Sequence, residues 1–516
     1  MKHCDIMWVE IIILSTGGNK MHITYDIKKG KTYAKACKSR RAGDRVEKEY
    51  IYLGRVLDIE KGIYQNRERG VFTYIPETNT FGEAPEEFVP VESQRKESLI
   101  LDFGDAYFLD EFMKKNGIDK LIEAIGYGNP DTIYAMLSYY TICSMANCHA
   151  QSWWEGSYAR ILYPRANLTS QRISDFLAAI GDEYTQRGFF HEYFKLLEQT
   201  GVDTGNVLID STGLPNSIHF PLTTIRNHNG EISNEVRLIY VVHQKTGLPI
   251  YFRYCAGNVI DTSTLIRSLE ELKAQGVDVN FAILDAGYYT GENIEDLFKK
   301  SISFLTRMKP NTTIYKELVA THFDTLDTKE NLVEYNGRYV YLKCVQCELA
   351  GYNAYAYIGI DIERKSYEAQ KIFTRAKDKN MTTNQVFSAM EKQGLFVLVS
   401  SRRIAKTKVL PLYYTRQQIE QVFDVGKNYA DMLPLRVHNE DTFRGHLLLT
   451  FIATVIIKRI QDCLMGSSIT PISLFLDLRN HKCKVFSDKI ITQEVFKKAN
   501  DCYKLFNFSC PPVFPR

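Results

Sequence analysis

Two short apolar runs in the sequence each finish on an aspartate: Val207-Leu-Ile-Asp210-Ser-Thr and Ala282-Ile-Leu-Asp285-Ala-Gly-Tyr. Such runs read as buried strands, and a carboxylate at the end of one is placed to meet a carboxylate from its neighbour, because sites in α/β sheets form where strands finish. Two carboxylates there make a hard-oxygen site suited to magnesium or manganese. A turn or helix-cap aspartate accounts for either residue alone at least as well, so the pair by itself does not decide the chemistry.

A third element is more specific. Tyr413, Arg416, Glu420 and Lys427 follow the spacing Y-x2-R-x3-E-x6-K. On one helix the last three fall at about −60°, −20° and −40° from Tyr413, a narrow stripe that can face one ligand. Ile419, Val422, Phe423 and Gly426 form a neighbouring stripe able to pack on a sheet. One acid, two cations and a phenol suit phosphodiester chemistry. Glu420 can ligate a metal, Arg416 and Lys427 can neutralise phosphates, and Tyr413 can hydrogen-bond a phosphate or stack on a base. An ordinary surface stripe with an Arg416–Glu420 pair is the competing account. Thr415 with Gln418 resembles a capping box, which would leave Tyr413 ahead of the helix.

These residues need a framework of strands and helices. From Gly205 the pattern predicts a strand at 206–209, a hairpin of 236–243 with 248–254, a helix over 262–275, a strand at 281–284, a helix over 293–300 and a strand at 303–306. Between about 325 and 365 it becomes purely β, with Asn336-Gly337 as a strong hairpin signal and a further strand at 355–360. The α/β texture resumes at 395–399 and in a helix after Pro411. Helical patterns predominate from 99 to 197; the one at 168–180 suits a helix-turn-helix or a plain packed helix. Residues 28–48 hold nine lysines or arginines ahead of a strand-like segment at 50–53. The cluster can sit on phosphates, and a solvated basic face explains it equally well.

With 516 residues, 45% apolar and 12% aromatic, the chain has ample material for an ordered protein of several domains. A net charge of +3 permits a polyanionic partner without demanding one. Eleven scattered cysteines, an odd number, favour free thiols in a reducing cytosol. The lone CxxC, Cys344 to Cys347, lacks a second pair at zinc spacing. The run at 7–14 contains Glu10 and has no cationic lead-in, which argues against an export signal, and translation could begin at Met21. The run at 447–457, broken by Thr450 and Thr454, falls short of the roughly 20 residues a membrane helix needs, so the expectation is a soluble protein.

The full Y-x2-R-x3-E-x6-K match, Asp210-Ser-Thr, Asp285-Ala-Gly-Tyr288 and their chain order resemble the DDE transposases of bacterial insertion sequences, in the class marked by the YREK signature. Lys31-Thr-Tyr-Ala-Lys, Tyr52-Leu-Gly-Arg-Val, Arg436-Val-His-Asn439 and Arg444-Gly-His446 look like family features too, so the resemblance covers roughly 21–465; the first 20 residues match nothing. It implies an α/β fold: an RNase H-like mixed-sheet core interrupted by an all-β insertion, which fills the 135 residues between Asp285 and Glu420, and preceded by a basic, largely helical N-terminal region.

The implied domains are a basic DNA-binding region (21–95), a helical region for DNA-end binding (96–200), the first part of the core (201–320), the β insertion (321–393), the second part with the YREK helix (394–465) and a C-terminal region (466–516). Asp210, Asp285 and Glu420 would be the catalytic residues and would hold two divalent ions, Mg2+ or Mn2+ in its place. Tyr413, Arg416 and Lys427 would bind DNA. The expected partners are double-stranded DNA at terminal inverted repeats, target DNA and, in a synaptic complex, a second copy of the chain; the expected location is cytoplasmic, at the nucleoid. A catalytically silent DNA-binding descendant and a nuclease that cuts without joining are the rival expectations.

Overall fold

A computed structural model describes residues 21–515 apart from 29, 43–44, 67–68, 86–87, 89–98, 217–223, 227–231, 260, 379–380, 392 and 438. The chain divides between Leu99 and Ile100 into two compact units. The expectations for the first 20 residues and for His438 lie outside the described residues.

The first unit is an antiparallel sheet of β1 (His22–Lys28), β2 (Lys31–Ala42), β3 (Arg45–Asp58), β4 (Ile63–Asn66), β5 (Gly70–Ile75) and β6 (Thr80–Glu83), each paired with the next. Ala34, Ala36, Leu53, Tyr64, Phe72 and Tyr74 form its own core. Gly54 adopts φ +93°, and a Cβ there would lie 2.1 Å from the Gln65 carbonyl oxygen, so this close strand approach requires glycine. The largely helical region expected ahead of the core is therefore a sheet in its first part, and among the described residues helices begin at Gly104. Charge density masked the strands. In β2 and β3, Lys35, Tyr50 and Tyr52 alternate with buried or half-buried Ala34, Ala36, Ile51 and Leu53, and the pleat sends the two sets to opposite faces. The side chains of 39–48, which carry much of the basic cluster, lie outside the described residues.

The second unit begins one residue into β7 (Leu99–Asp102) and continues with a helical array: α1 (Gly104–Lys115), α2 (Ile118–Ile125), α3 (Pro130–Ile142), α4 (Ala150–Gly156), α5 (Ala159–Leu162), α6 (Ser170–Ile180) and α7 (Glu183–Gln199). The α/β part contributes β8 (Asn206–Pro215), β9 (Thr224–Arg226), β10 (Ile232–His243), β11 (Pro249–Ala256), α8 (Leu265–Ala274), β12 (Phe281–Leu284), α9 (Gly291–Lys299) and β13 (Ser303–Arg307). Then follow α10 (Thr313–His322), β14 (Leu332–Tyr335), β15 (Arg338–Leu349), β16 (Tyr352–Asp361), α11 (Ile362–Asp378), α12 (Thr383–Glu391) and β17 (Leu395–Ser400). The chain closes with α13 (Lys406–Tyr414), α14 (Gln417–Tyr429), α15 (Glu440–Leu464), α16 (Pro471–Arg479), β18 (Lys482–Val485), β19 (Lys489–Thr492), α17 (Lys497–Leu505) and β20 (Val513–Pro515).

One sheet organises this unit, in the order β11-β10-β8-β12-β13-β17-β16-β15-β14, with β9 also on β10. Strand β8 runs antiparallel to β10 and parallel to β12, which is parallel to β13; from β13 through β17 to β14 every pairing is antiparallel. Val207, Leu208 and Ile209 are fully buried, as a central strand covered on both faces requires. Between β14 and β15, Asn336 and Gly337 take φ +50° and +75°, the paired positive values of a tight hairpin turn.

The segment 321–393 departs from a purely β piece. Its three strands are hydrogen-bonded through β17 into the central sheet, and its second half is helical in α11 and α12. The run after Asp361 is rich in Glu, Lys, Arg and Ala, residues with high helix propensity, and it folds as α11.

Helices α14 and α15 pack on the sheet: Phe423 stacks on Tyr240 with centroids 5.4 Å apart, and Phe451 meets Tyr240 edge-on at 5.9 Å. Strand β7 joins β18, β19 and β20 in a small sheet, tying the start of this unit to its end. No helix among the described residues is long and apolar enough to cross a membrane; the run at 447–457 is a buried part of α15. None of the ten described cysteines, Cys344 and Cys347 on β15 included, is joined in a disulfide.

Candidate active site

Register brings the two aspartates together. Leu284 pairs with Ile209 in the parallel ladder of β12 and β8, so the next residues, Asp285 and Asp210, lie side by side. Asp285 leaves its strand there, and its Oδ2 accepts from the Gly287 N–H at 3.4 Å to open a short 3-10 turn. Contrary to the expectation, Asp210 does not end its strand; β8 continues to Pro215 because β10 still pairs with it beyond the point where β12 stops. The carboxylate thus projects from mid-strand at the edge of a gap left by the shorter neighbour.

Helix α14 supplies the third carboxylate. Tyr413 belongs to α13, Thr415 and Arg416 form the joint, and α14 starts at Gln417, so the four signature residues span a helix junction. Both joint residues keep right-handed helical backbone angles, which preserves the stripe. Ile419, Val422, Phe423 and Gly426 are buried, as the packing stripe predicted. A Cβ on Gly426 would approach Met432 Cε to 2.5 Å.

Arg416 is the centre of the cluster. Its Nη1 donates to Asp210 Oδ2 at 2.8 Å and lies 3.4 Å from Asp285 Oδ1, while Nη2 donates to Glu420 Oε1 at 3.0 Å. Burial works against its charge, but Asp285 and Asp210 outweigh that and hold its pKa above the ordinary arginine value. The side chain of Glu420 is 56% exposed and that of Asp285 38%, against 15% for Asp210, so the site opens on the Glu420 side.

Lys427 lies two helical turns beyond and its Nζ donates to Thr212 Oγ1 at 2.7 Å; Thr212 shares the β8 face of Asp210. Burial lowers the Lys427 pKa, with Glu235 acting in the opposite direction. The Tyr413 ring is buried, which removes its face from a base in this conformation. Burial raises its pKa to about 12, and its charged neighbours are Arg416, Asp285 and Arg307.

Several contributors went unread in the sequence. Thr306 Oγ1 donates to the Asp285 carbonyl at 3.2 Å and Lys309 Nζ to the Gly287 carbonyl at 3.1 Å, while Asn293 Nδ2 donates to the Tyr288 carbonyl at 2.9 Å. All three fix the turn after Asp285. A signal existed for part of this: Thr306 pairs with Leu284, so Arg307 ends the third parallel strand beside Asp285 just as Asp285 follows beside Asp210.

Among the described residues no three His, Cys, Asp or Glu side chains stand close enough together to hold a metal ion as they lie. The reason is visible in the cluster, since a guanidinium occupies the space between the carboxylates. A cleft of about 920 Å³ lined by Arg187, Phe190, Arg253 and Arg444 includes none of the three.

Residues 204–456 match the family model of the transposase DDE domain, a span that holds every site residue above. The match makes this part of the chain similar to the catalytic domain of DDE transposases. No curated protein matches the sequence. Among solved structures the chain is similar to the piggyBac transposase synaptic complex with hairpin DNA, at 11% identity, with 68% of this chain and 70% of that chain covered and a TM-score of 0.36. So loose a likeness transfers no residue.

Proposed function

We propose that the chain is an insertion-sequence transposase of the YREK class, which cuts DNA at the ends of its element and transfers the strands to a target in a cut-and-paste reaction. The observation that carries this reading is the convergence of Asp210, Asp285 and Glu420, from a strand, a strand end and a distant helix, on the single guanidinium of Arg416. The strand order β11-β10-β8-β12-β13, an antiparallel meander followed by parallel strands beside β8, supports an RNase H-like core. Strands β14–β16 and helices α11 and α12, between the second aspartate and Glu420, support an insertion at that point.

The donor set fits hard divalent cations: three carboxylates, no sulfur or imidazole, already drawn together by one positive charge. Mg2+ or Mn2+ ions held by Asp210, Asp285 and Glu420 would supply activation of a water or 3′-hydroxyl and stabilisation of the leaving oxygen in an in-line displacement. Arg416 and Lys427 neutralise phosphates of the bound strand, and Tyr413 beside them contributes to the same DNA contact. The basic region of 21–95 and the helical region of 96–200 bind double-stranded DNA at the terminal repeats, and two copies of the chain pair the ends. The setting of this reaction is the cytoplasmic nucleoid.

The test is incubation of the protein with Mg2+ and a labelled duplex carrying the element's end. Nicking followed by hairpin or joined product is expected, and Glu420→Gln should reduce it by more than about 100-fold, beyond the loss from removing an outer hydrogen-bond partner of a ligand, with duplex binding retained. Binding without nicking by the wild type would favour a silent DNA-binding descendant, and nicking without joining a simple nuclease.

A further inference from the structure

We infer that Arg416 is a latch on the carboxylate site: it holds the three acids in the absence of DNA and leaves them when a DNA phosphate claims its guanidinium, so that metal loading depends on DNA. The inference rests on the proposed transposase reading for the identity of the acids as metal ligands. The geometry is specific. Two terminal nitrogens of one planar fork serve three carboxylates from three elements, at 2.8, 3.4 and 3.0 Å. A divalent cation binding the same oxygens at roughly 2.0–2.6 Å would fall where the fork now lies and would repel it as well, so the two exclude each other by space and by charge.

Arg416 stands at the joint between α13 and α14, and Glu420 one turn on is the most exposed of the three acids. A rotation of the arginine side chain toward the Glu420 side therefore carries it outward, to where a backbone would lie. Leaving three carboxylates is unfavourable unless another anion replaces them, and phosphate does so with the same two-pronged geometry. Because DNA and metal compete for opposite positions of one side chain, each must strengthen the binding of the other by the same factor.

The test uses the full chain and Mn2+, with unbound ion counted by its electron paramagnetic resonance signal, with and without a short duplex. Wild type is expected to bind Mn2+ weakly alone and about tenfold more tightly with duplex. Arg416→Gln should bind Mn2+ about tenfold more tightly than wild type without DNA and gain little from it. Arg416→Lys keeps the charge but loses the fork, and should gain by a smaller factor. The latch is overturned if Arg416→Gln with an unchanged circular dichroism spectrum binds no more tightly than wild type. It is equally overturned if Arg416→Lys stays at the wild-type value while Arg416→Gln rises, which would report bulk charge alone. If Arg416→Gln fails to fold, a wild type whose Mn2+ affinity ignores the duplex overturns it. Asp210→Asn and Glu420→Gln should lose Mn2+ binding; their binding it as wild type does would instead remove the metal-site reading beneath the latch.

Discussion

Lys427 reaches Thr212 over 2.7 Å, a contact that places its charge on the β8 face that carries Asp210. The sequence assigned this lysine to phosphate, and the site it reaches is compatible with that role only if the ammonium is released to DNA. Lys427→Met is therefore expected to weaken duplex binding uniformly across sequences and to lower the slope of log K against log salt by about one, the share of a single phosphate contact. Filter binding over a range of salt concentrations measures it, and an unchanged slope would leave Lys427 a structural residue. Glu420 and Arg416 were legible because a four-residue spacing fixed them together. Thr306 and Lys309 were not, because their task depends on a turn that only the folded chain brings beside β13.

At the scale of elements, helix α14 is held by what lies behind it. Helix α15 packs on α14, on the sheet and, at its first turns, against α6. Gly445 is the point of closest approach: a Cβ there would lie 1.9 Å from the Leu177 carbonyl oxygen, and a Cβ on Gly181 would lie 2.0 Å from that of Asp441. Backbone meets backbone, so no side-chain rotation relieves the clash. Gly445→Ala is expected to destabilise the second unit by about 3 kcal/mol or more, read as a lower melting temperature, while leaving the first unit's sheet signal intact. An unaltered melting temperature would show that the two helices can separate. The sequence placed α14 and its packing stripe correctly. The β pattern read between 325 and 365 folds as β14–β16, and the helices α11 and α12 that follow lie beyond it, because a strand's period is silent on the segment that comes next.

Across the molecule, buried ionisable groups set how stability responds to acid. His446 is fully enclosed in α15; its Nε2–H donates to the Met432 carbonyl at 3.3 Å, so Nδ1 accepts from the Tyr140 hydroxyl at 2.9 Å. Burial lowers its pKa to about 4, against an ordinary 6.5. The unfolded chain therefore takes up the proton first, and stability that is full above about pH 6.5 is lost as pH falls toward 4, by up to about 3 kcal/mol. Asp431, whose carboxyl burial raises to about 7, works in the opposite direction over the same range. The difference between wild type and His446→Gln isolates the histidine: the variant should melt with less dependence on pH between 4 and 6.5, and identical dependence would refute the role.

The sequence by itself determined the carboxylates, their order, the signature stripe and the strands beneath them, because each is written in local spacing: period two in a buried strand, period 3.6 on a helix face, an Asn-Gly pair at a hairpin. It also carried the β pattern of the first unit, which charge density obscured. Only the tertiary structure decided how the pieces meet. The register of β8 against β12 sets Asp210 beside Asp285, the helix junction at Thr415 and Arg416 turns one guanidinium onto three acids, and the strands of the 321–393 segment extend the central sheet. These are contacts between residues far apart in the chain, and no local period encodes which distant partner a side chain will find.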